Sequence, residues 1–422
     1  MIHASKIKTS IAIFGPLCHK GDSGLGYFNY QFVKYFEDRG ALHKVYCLTL
    51  KDSRVNIEIP SSKLSVLTDN LFFKAMYYGL KLVKKAVPGF SDRYYTEVIF
   101  DFWLKHIISF DEEDILLCLK PVTPQLIRKA KSKNVMVVTL ADIAHPEFIY
   151  SEMKKIEARY GIKDKSSYTL LKRIKRLTRA FNDSDIVIPR ASSQFINKTY
   201  LEKGVRHIYR LQSETGVNMN LYSLRRNFNK HTESVNFVSV AQFSYKKGLP
   251  LLLEVWNELV SEGSFLGHLH IIGSLDTSTK KVVKKHFQHI PQVTFHDYTV
   301  KVHEIYPQYD VFIASSISDS GPRTVIEAMA CGLPAIVSNH CGTADLVEDG
   351  LNGFTYDPFD LARLKSLITW FVNHKDKIQI MGKQANQKAK SLSYDNFLEE
   401  MYFAILDKYK ERQTDISTYK TA

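Results

Sequence analysis

Two carboxylates separated by seven residues, Asp319 and Glu327, stand in the segment VFIASSISDSGPRTVIEAMACGLPAIVSNHCGTADLVEDGLNGFTYDP at 311–358. The residues around them spell a ligand site. Val311–Ala314 is an apolar run of strand length, residues 315–321 are rich in turn formers, and Pro322 suits a first helical turn. Gly332 and Pro334 end a short helix, and residues 335–337 return to a sheet. A helix N-terminus therefore faces a loop at the carboxyl end of a strand. There the unpaired backbone N–H groups and the helix dipole favour an anion such as a diphosphate, with Gly321, Pro322, Arg323 and Thr324 at the point of contact. Glu327, one turn further in, would repel phosphate but accepts hydrogen bonds from vicinal hydroxyls such as those of a ribose. The chemistry is nucleotide recognition. An α/β crossover with surface acids is the alternative that this segment also admits.

Two further sites follow strand-like runs in the first half. Residues 11–14 lead into GPLCHKGDSGLGYFNYQFVKYF, where Gly15, Gly21, Gly24 and Gly26 precede an amphipathic helix. Small residues let backbone approach a phosphate closely, which makes Gly24 and Gly26 candidates, although a plain tight turn fits the same residues. Neither the dinucleotide fingerprint nor a P-loop is matched. Residues 135–140 lead into ADIAHPEFI, which places His145 just past a strand end, on the crevice side of an open α/β sheet, with Asp142 beside it.

The ordered set resembles glycosyltransferase family 4. The resemblance rests on the glycine loop, Ala144-His145-Pro146, Gly216-Val217-Asn218, Lys247-Gly248, the Asp319/Glu327 pair with Ala-Met-Ala-Cys-Gly-Leu-Pro, and the closing residues 350–354. It implies an α/β chain of GT-B architecture, with two Rossmann-like parallel-sheet domains facing a central cleft. It also implies transfer from a nucleotide-diphospho-sugar with retention of configuration, no cofactor and no bound metal. On that resemblance Lys247 neutralises the donor diphosphate, Glu327 holds the ribose, Asp319 and His145 orient the sugar, and the Gly24–Gly26 loop closes on the donor. Gln242 stands where the family has arginine, with Arg323 as a replacement cation, and Asp319 stands where it usually has glutamate. The runner-up readings are a nucleotide-sugar epimerase of the same architecture, a degenerate transferase and a basic nucleic-acid-binding protein.

The elements that must position these groups are those of parallel sheets. A chain of 422 residues, 45% of them hydrophobic, has material for two cores. Strand-like runs at 11–14, 45–48, 115–119, 135–140, 186–188, 237–241, 269–272, 311–314 and 335–337 alternate with amphipathic stretches. A first domain is expected over 1–210 and a second over 211–393, joined by a polar stretch at 211–226. A terminal helix from 394, apolar at Phe397, Met401, Ile405 and Leu406, is expected to loosen after about Arg412, and the resemblance implies that it packs back on the first domain.

Five cysteines without CxxC pairing, Cys18, Cys47, Cys118, Cys331 and Cys341, read as reduced and buried. No stretch reads as a signal peptide or a membrane span, so a cytoplasmic protein, soluble or peripheral on the membrane, is expected. The net charge of +13 lies in the first half: residues 1–210 hold 35 Lys+Arg against 21 Asp+Glu, and residues 211–422 hold 22 against 23. The excess concentrates at 71–90 and 154–181. In the first stretch Phe72, Phe73, Met76, Tyr77, Leu80 and Val83 can form an apolar face beside Lys74, Lys81, Lys84 and Lys85, a pattern for an anionic interface. A core-facing helix with solvated lysines has the same spacing. With no nucleic-acid motif present, the partners expected are a nucleotide-sugar donor, a glycan or lipid-linked acceptor and an anionic membrane.

Overall fold

The computed structural model describes residues 7–19, 25–51, 57–87, 89–190, 193–222, 224 and 233–421, with side chains to 415. Two six-stranded sheets carry it, and every pair of neighbouring strands is parallel. The first contains β1 (Thr9–Leu17), β2 (Leu42–Leu50), β3 (Leu64–Val66), β4 (Ile115–Cys118), β5 (Met136–Ala141) and β6 (Ile186–Pro189), in the order β3-β2-β1-β4-β5-β6. The second contains β7 (Val235–Val240), β8 (Gly267–Ile272), β9 (Val293–His296), β10 (Val311–Ala314), β11 (Ala335–Ser338) and β12 (Gly353–Tyr356), in the order β12-β11-β10-β7-β8-β9. All nine strand-like runs of the sequence fall in these sheets. The three it did not yield, β3, β9 and β12, are edge strands; in β9, Phe295 and His296 are exposed, so an apolar run is not required there.

The helices of the first half are α1 (Leu25–Asp38), α2 (Leu71–Ala86), α3 (Asp92–Ile107), α4 (Pro124–Ser132), α5 (Pro146–Tyr160), α6 (Leu171–Asp183) and α7 (Gln194–Leu201). The second half adds α8 (Leu249–Ser261), α9 (Thr277–His286), α10 (Val302–Ile305), α11 (Arg323–Ala330), α12 (Leu361–Asn373), α13 (Lys375–Lys390) and α14 (Tyr394–Thr421). Strand alternation assigns the faces. On β1, Ile11 and Ile13 join Phe28, Phe32 and Phe36 of α1 and Phe397, Met401 and Ile405 of α14, whereas Ala12 and Phe14 join Phe100, Leu104 and Leu126 of α3 and α4. The last helix thus leaves the second half and seals the first sheet, tied by Tyr409 Oη donating to Asp114 at 2.7 Å. It continues to Thr421, where looseness was expected after Arg412.

The halves also meet directly. Tyr160 Oη donates to Glu254 at 2.8 Å, Tyr245 Oη to the Ile162 carbonyl at 3.0 Å, and the Lys165 amide to Ser278 Oγ at 3.0 Å. Elsewhere along the junction the Gln194 amide donates to Asp345 at 2.9 Å.

Candidate functional site

Parallel strands deliver their following loops to one sheet edge, and β7 and β10 are neighbours. The loop after β7 carries Gln242 and Lys247, and the loop after β10 carries Asp319 and residues 321–324. Together with first-half residues they line a cavity of about 700 Å³ between the two sheets. Gln242, Lys247, Asp319, Gly321, Pro322, Arg323 and Thr324 are all on its wall. Close approach of the two loops is what requires glycine after Lys247. Gly248 has φ +66°, and a Cβ there would lie 1.8 Å from the Ser315 carbonyl oxygen.

Lys247 Nζ is bonded to the Asp319 carboxylate. Asp319 is 7% exposed, and its backbone is held on both sides: its amide donates to the His340 carbonyl at 3.0 Å and its carbonyl accepts from Gly342 at 2.7 Å. Burial alone would push its carboxyl up, but Lys247 and then Lys246 outweigh this and hold it below the usual carboxylate range. Asp319 is an anion fixed in place.

Glu327 lies in α11, 5% exposed, and is not on the cavity wall. Burial raises its carboxyl above the usual range against the opposing pull of Arg323 and of the Tyr222 hydroxyl. Tyr222 belongs to the segment joining the halves and Tyr306 to the turn after α10, so Glu327 has phenols from two distant parts of the chain around it.

His145 caps α5 and is 1% exposed. Its Nδ1 accepts from the Glu147 amide at 3.3 Å, which leaves the proton on Nε2, a buried donor with no partner among the described residues. Burial, and then Lys203, lower its pKa to about 4, so the ring is neutral at physiological pH. It too lies behind the cavity wall. Its neighbourhood reaches across the junction through the Asp142 carbonyl, which accepts from Ser320 Oγ, while the Asp142 carboxylate faces Lys120 at 3.5 Å. Gly24 falls outside the described residues. Gly26 lies in the first turn of α1, where a Cβ would meet Cys18 at 3.0 Å, a helix-to-strand packing contact.

The first-half wall carries groups that the sequence did not single out. Tyr168, under Lys246 at 4.9 Å from its ring centroid, has its phenol lowered to about 7 by Lys246, against burial and with help from Arg93 and Arg173. Behind it, fully buried Glu97 accepts from Arg173 Nε at 2.9 Å and Nη2 at 2.8 Å and from Arg93 Nε at 3.1 Å. Part of the basic stretch at 154–181 is therefore internal. Arg173 and Arg176 pair with Glu97 and Asp101, and Arg159 with Glu254.

Residues 223–388 match the family described as Glycosyl transferases group 1. That match takes in both second-half loops of the cavity. Over 118 residues, 27% of this chain, it is 30% identical to the putative glycosyltransferase EpsD of Bacillus subtilis. It spans less than half the length of the curated relatives it matches, 31% of EpsD and 9% of a sucrose synthase of Beta vulgaris. Among solved structures, sucrose-phosphate synthase from Thermosynechococcus elongatus superposes with a TM-score of 0.67 at 16% identity, covering 96% of this chain and all of the other. Anabaena HepE in complex with UDP superposes with a TM-score of 0.63 at 14% identity over 95% of this chain and 100% of that one. At such identities the likeness is one of fold, and the fold is GT-B.

The chain also has an uncovered helix in its first half. No residue of α2 is buried: Leu71, Phe72 and Leu82 are 81%, 66% and 65% exposed. The arc that packs on the core is Phe73 and Tyr77, so the apolar face expected at 72–83 is divided, with Phe72, Met76 and Val83 left to solvent. Lys84 is not free, since it pairs with Asp92 at 2.8 Å. In the described residues no helix is long and apolar enough to cross a membrane.

Proposed function

We propose that this chain is a retaining glycosyltransferase that moves a sugar from a nucleotide-diphospho-sugar to a glycan or lipid-linked glycan, in the synthesis of a cell-surface polysaccharide. The observation that carries the reading is the convergence of Lys247, Asp319 and residues 321–324 on one inter-domain cavity, within the segment that matches the family. Lys247 is the group for the departing diphosphate, because a charge-assisted contact in a partly dry cavity stabilises the charge that develops on bond cleavage. Binding the diphosphate draws Lys247 away from Asp319, whose oxygens then accept hydroxyls of the sugar. His145, neutral with its Nε2 proton unpartnered, is suited to donate one hydrogen bond to the same sugar. Gln242 supplies no charge on this wall, and Arg323 is the cation that takes over that part. HepE crystallised with UDP, which makes UDP the first nucleotide to try. Thermal stabilisation by a panel of nucleotide sugars identifies the donor, and an NMR spectrum of the product should show the donor's anomeric configuration. Inversion would remove the retaining reading.

Glu327 is assigned to the ribose. Glu327→Ala is expected to weaken the stabilising nucleotide by about 1.5–3 kcal/mol, on the order of 10- to 100-fold, with the fold intact. Calorimetry giving an unchanged Kd would take Glu327 out of the site.

The acceptor side is assigned to the first domain, resting with α2 on an anionic membrane. Apolar side chains at 38–81% exposure beside lysines suit an interface, and each basic residue near such a bilayer contributes about 1 kcal/mol. Gln at Lys74, Lys81 and Lys85, leaving the Lys84–Asp92 pair intact, is expected to release the protein from phosphatidylglycerol vesicles in a sedimentation assay, with nucleotide binding unchanged. Equal pelleting of variant and wild type would assign α2 another partner.

A further inference from the structure

Two guanidinium groups and a phenol meet where the first domain, the second domain and the terminal helix join, with no carboxylate in an ion pair among them. Arg190 follows β6, Arg323 opens α11 and Tyr394 opens α14. The Arg190 guanidinium lies over the Phe28 ring at 4.0 Å, Phe28 meets the Tyr394 ring edge-on at 5.7 Å, and Arg323 lies 6.0 Å from the same Tyr394 ring. Arg190 has no carboxylate within ion-pair distance among the described residues. Arg323 Nε and Nη1 and the Tyr394 hydroxyl are buried without a hydrogen-bond partner.

Such a cluster opposes folding. The two guanidinium groups repel each other, and buried donors left unmade are costly. Of the other cations on the wall, Lys247 is occupied by Asp319, Lys84 by Asp92 and Arg93 by Glu97, Lys246 lies over Tyr168, and Lys165 comes from the loop before α6. Arg190 and Arg323 both reach the cavity wall. An oxyanion there would satisfy all three donors at once.

We propose that Arg190, Arg323 and Tyr394 form an oxyanion site for a phosphate group carried by the acceptor, beside the donor diphosphate, with the Arg323 guanidinium shared between the two anions. The inference rests on the transferase reading for the word acceptor, but not for the site. Guanidinium forks match the oxygens of a phosphate, and the phenol supplies a third donor. Arg190 comes from the first domain, on the side opposite Lys247, so this anion is additional to the diphosphate held by the second domain. The acceptor is thereby a phosphorylated glycan or a phosphate-linked lipid.

The test is calorimetric titration of inorganic phosphate into the full chain saturated with UDP. Binding is expected in the wild type, weakened at least about tenfold in Arg190→Gln and in Tyr394→Phe, with the Kd for UDP unchanged in both. Tyr394→Phe removes one hydroxyl and keeps the packing, so it reports even if Arg190→Gln is poorly folded. No phosphate binding to the UDP-loaded chain overturns the site, and so does a parallel loss of UDP affinity in the variants, which would place Arg190 with the donor. Should no nucleotide of the donor panel bind, the transferase reading fails, and the same titrations on the free chain decide the oxyanion site alone. Displacement of the bound phosphate by glycerol phosphate assigns a soluble source, and displacement by phosphatidylglycerol vesicles a lipid one; displacement by neither overturns the acceptor assignment.

Discussion

Lys247→Ala is expected to weaken nucleoside diphosphates on the order of 10- to 100-fold while changing the affinity of the free nucleoside by less than about twofold. The asymmetry follows from the proposed role of the ammonium at the cavity wall, which is to meet the diphosphate and not the nucleoside. The same change should lower stability, because it leaves the Asp319 carboxylate, 10% exposed in its side chain, without its counter-charge. Breaking a fully buried pair costs about 3–5 kcal/mol; with Lys247 still 22% exposed, on the order of 2–3 kcal/mol is expected here. The pH dependence has a definite sign. Asp319 is depressed in the folded state, so the pair's contribution is present above the unfolded carboxylate pKa and is lost as pH falls through the folded one. The gap in Tm between wild type and Lys247→Ala should therefore narrow in acid. A gap that stays constant with pH would mean that Lys247 acts on stability through something other than Asp319, and equal losses for nucleoside and diphosphate would remove its phosphate role.

A larger loss of stability is expected from Arg173→Met. Glu97 is fully buried, and Arg173 gives it three of the four side-chain hydrogen bonds it accepts, at 3.0, 2.9 and 2.8 Å. Removing Arg173 leaves a buried carboxylate with Arg93 alone, at a cost of about 3–5 kcal/mol, whereas Glu97→Leu with Arg173→Met replaces both charges by packed apolar groups and should recover most of it. Differential scanning calorimetry on the full chain reads this in the transition of the first domain, since two domains need not unfold in one step. The consequence reaches the site, because Arg93 and Tyr168 lie on the cavity wall and Arg173 helps hold the Tyr168 phenol low. In the single variant Arg93 has Glu97 to itself, so both the cavity charge and the phenol should change. If Arg173→Met unfolds at the wild-type temperature, the Glu97 cluster is not the anchor of that wall.

Much of the second domain could be read from sequence because its information is local. Strand β10, the loop at 315–322 and α11 are consecutive, so turn formers, Pro322 and the apolar run mark a site without any knowledge of what lies beside it. Inner strands are covered on both faces and must be continuously apolar, which is why eight of the nine runs were found; the ninth, β6, ends its sheet but is buried along its whole length. Edge strands β3, β9 and β12 have solvent on one side and carry no such requirement. The spacing in α2 gave a helix but not which arc is covered, because a 3.6-residue period fixes the faces relative to one another and says nothing of what packs on them.

The sequence by itself determined the alternation that makes two parallel sheets, the helix start after the 315–322 loop and the acidic pair of Asp319 and Glu327. Only the tertiary structure decided that Lys247 and Asp319 touch. They are 72 residues apart and come together because β7 and β10 are neighbours in a parallel sheet, so that their carboxyl ends open side by side. It also decided that Glu327 turns to Tyr222 and Tyr306, that Lys246 covers Tyr168, and that Arg190, Arg323 and Tyr394 stand together without an ion-paired carboxylate among the described residues. Those contacts join separate domains or distant elements, and local spacing carries no record of a neighbour that only packing brings near.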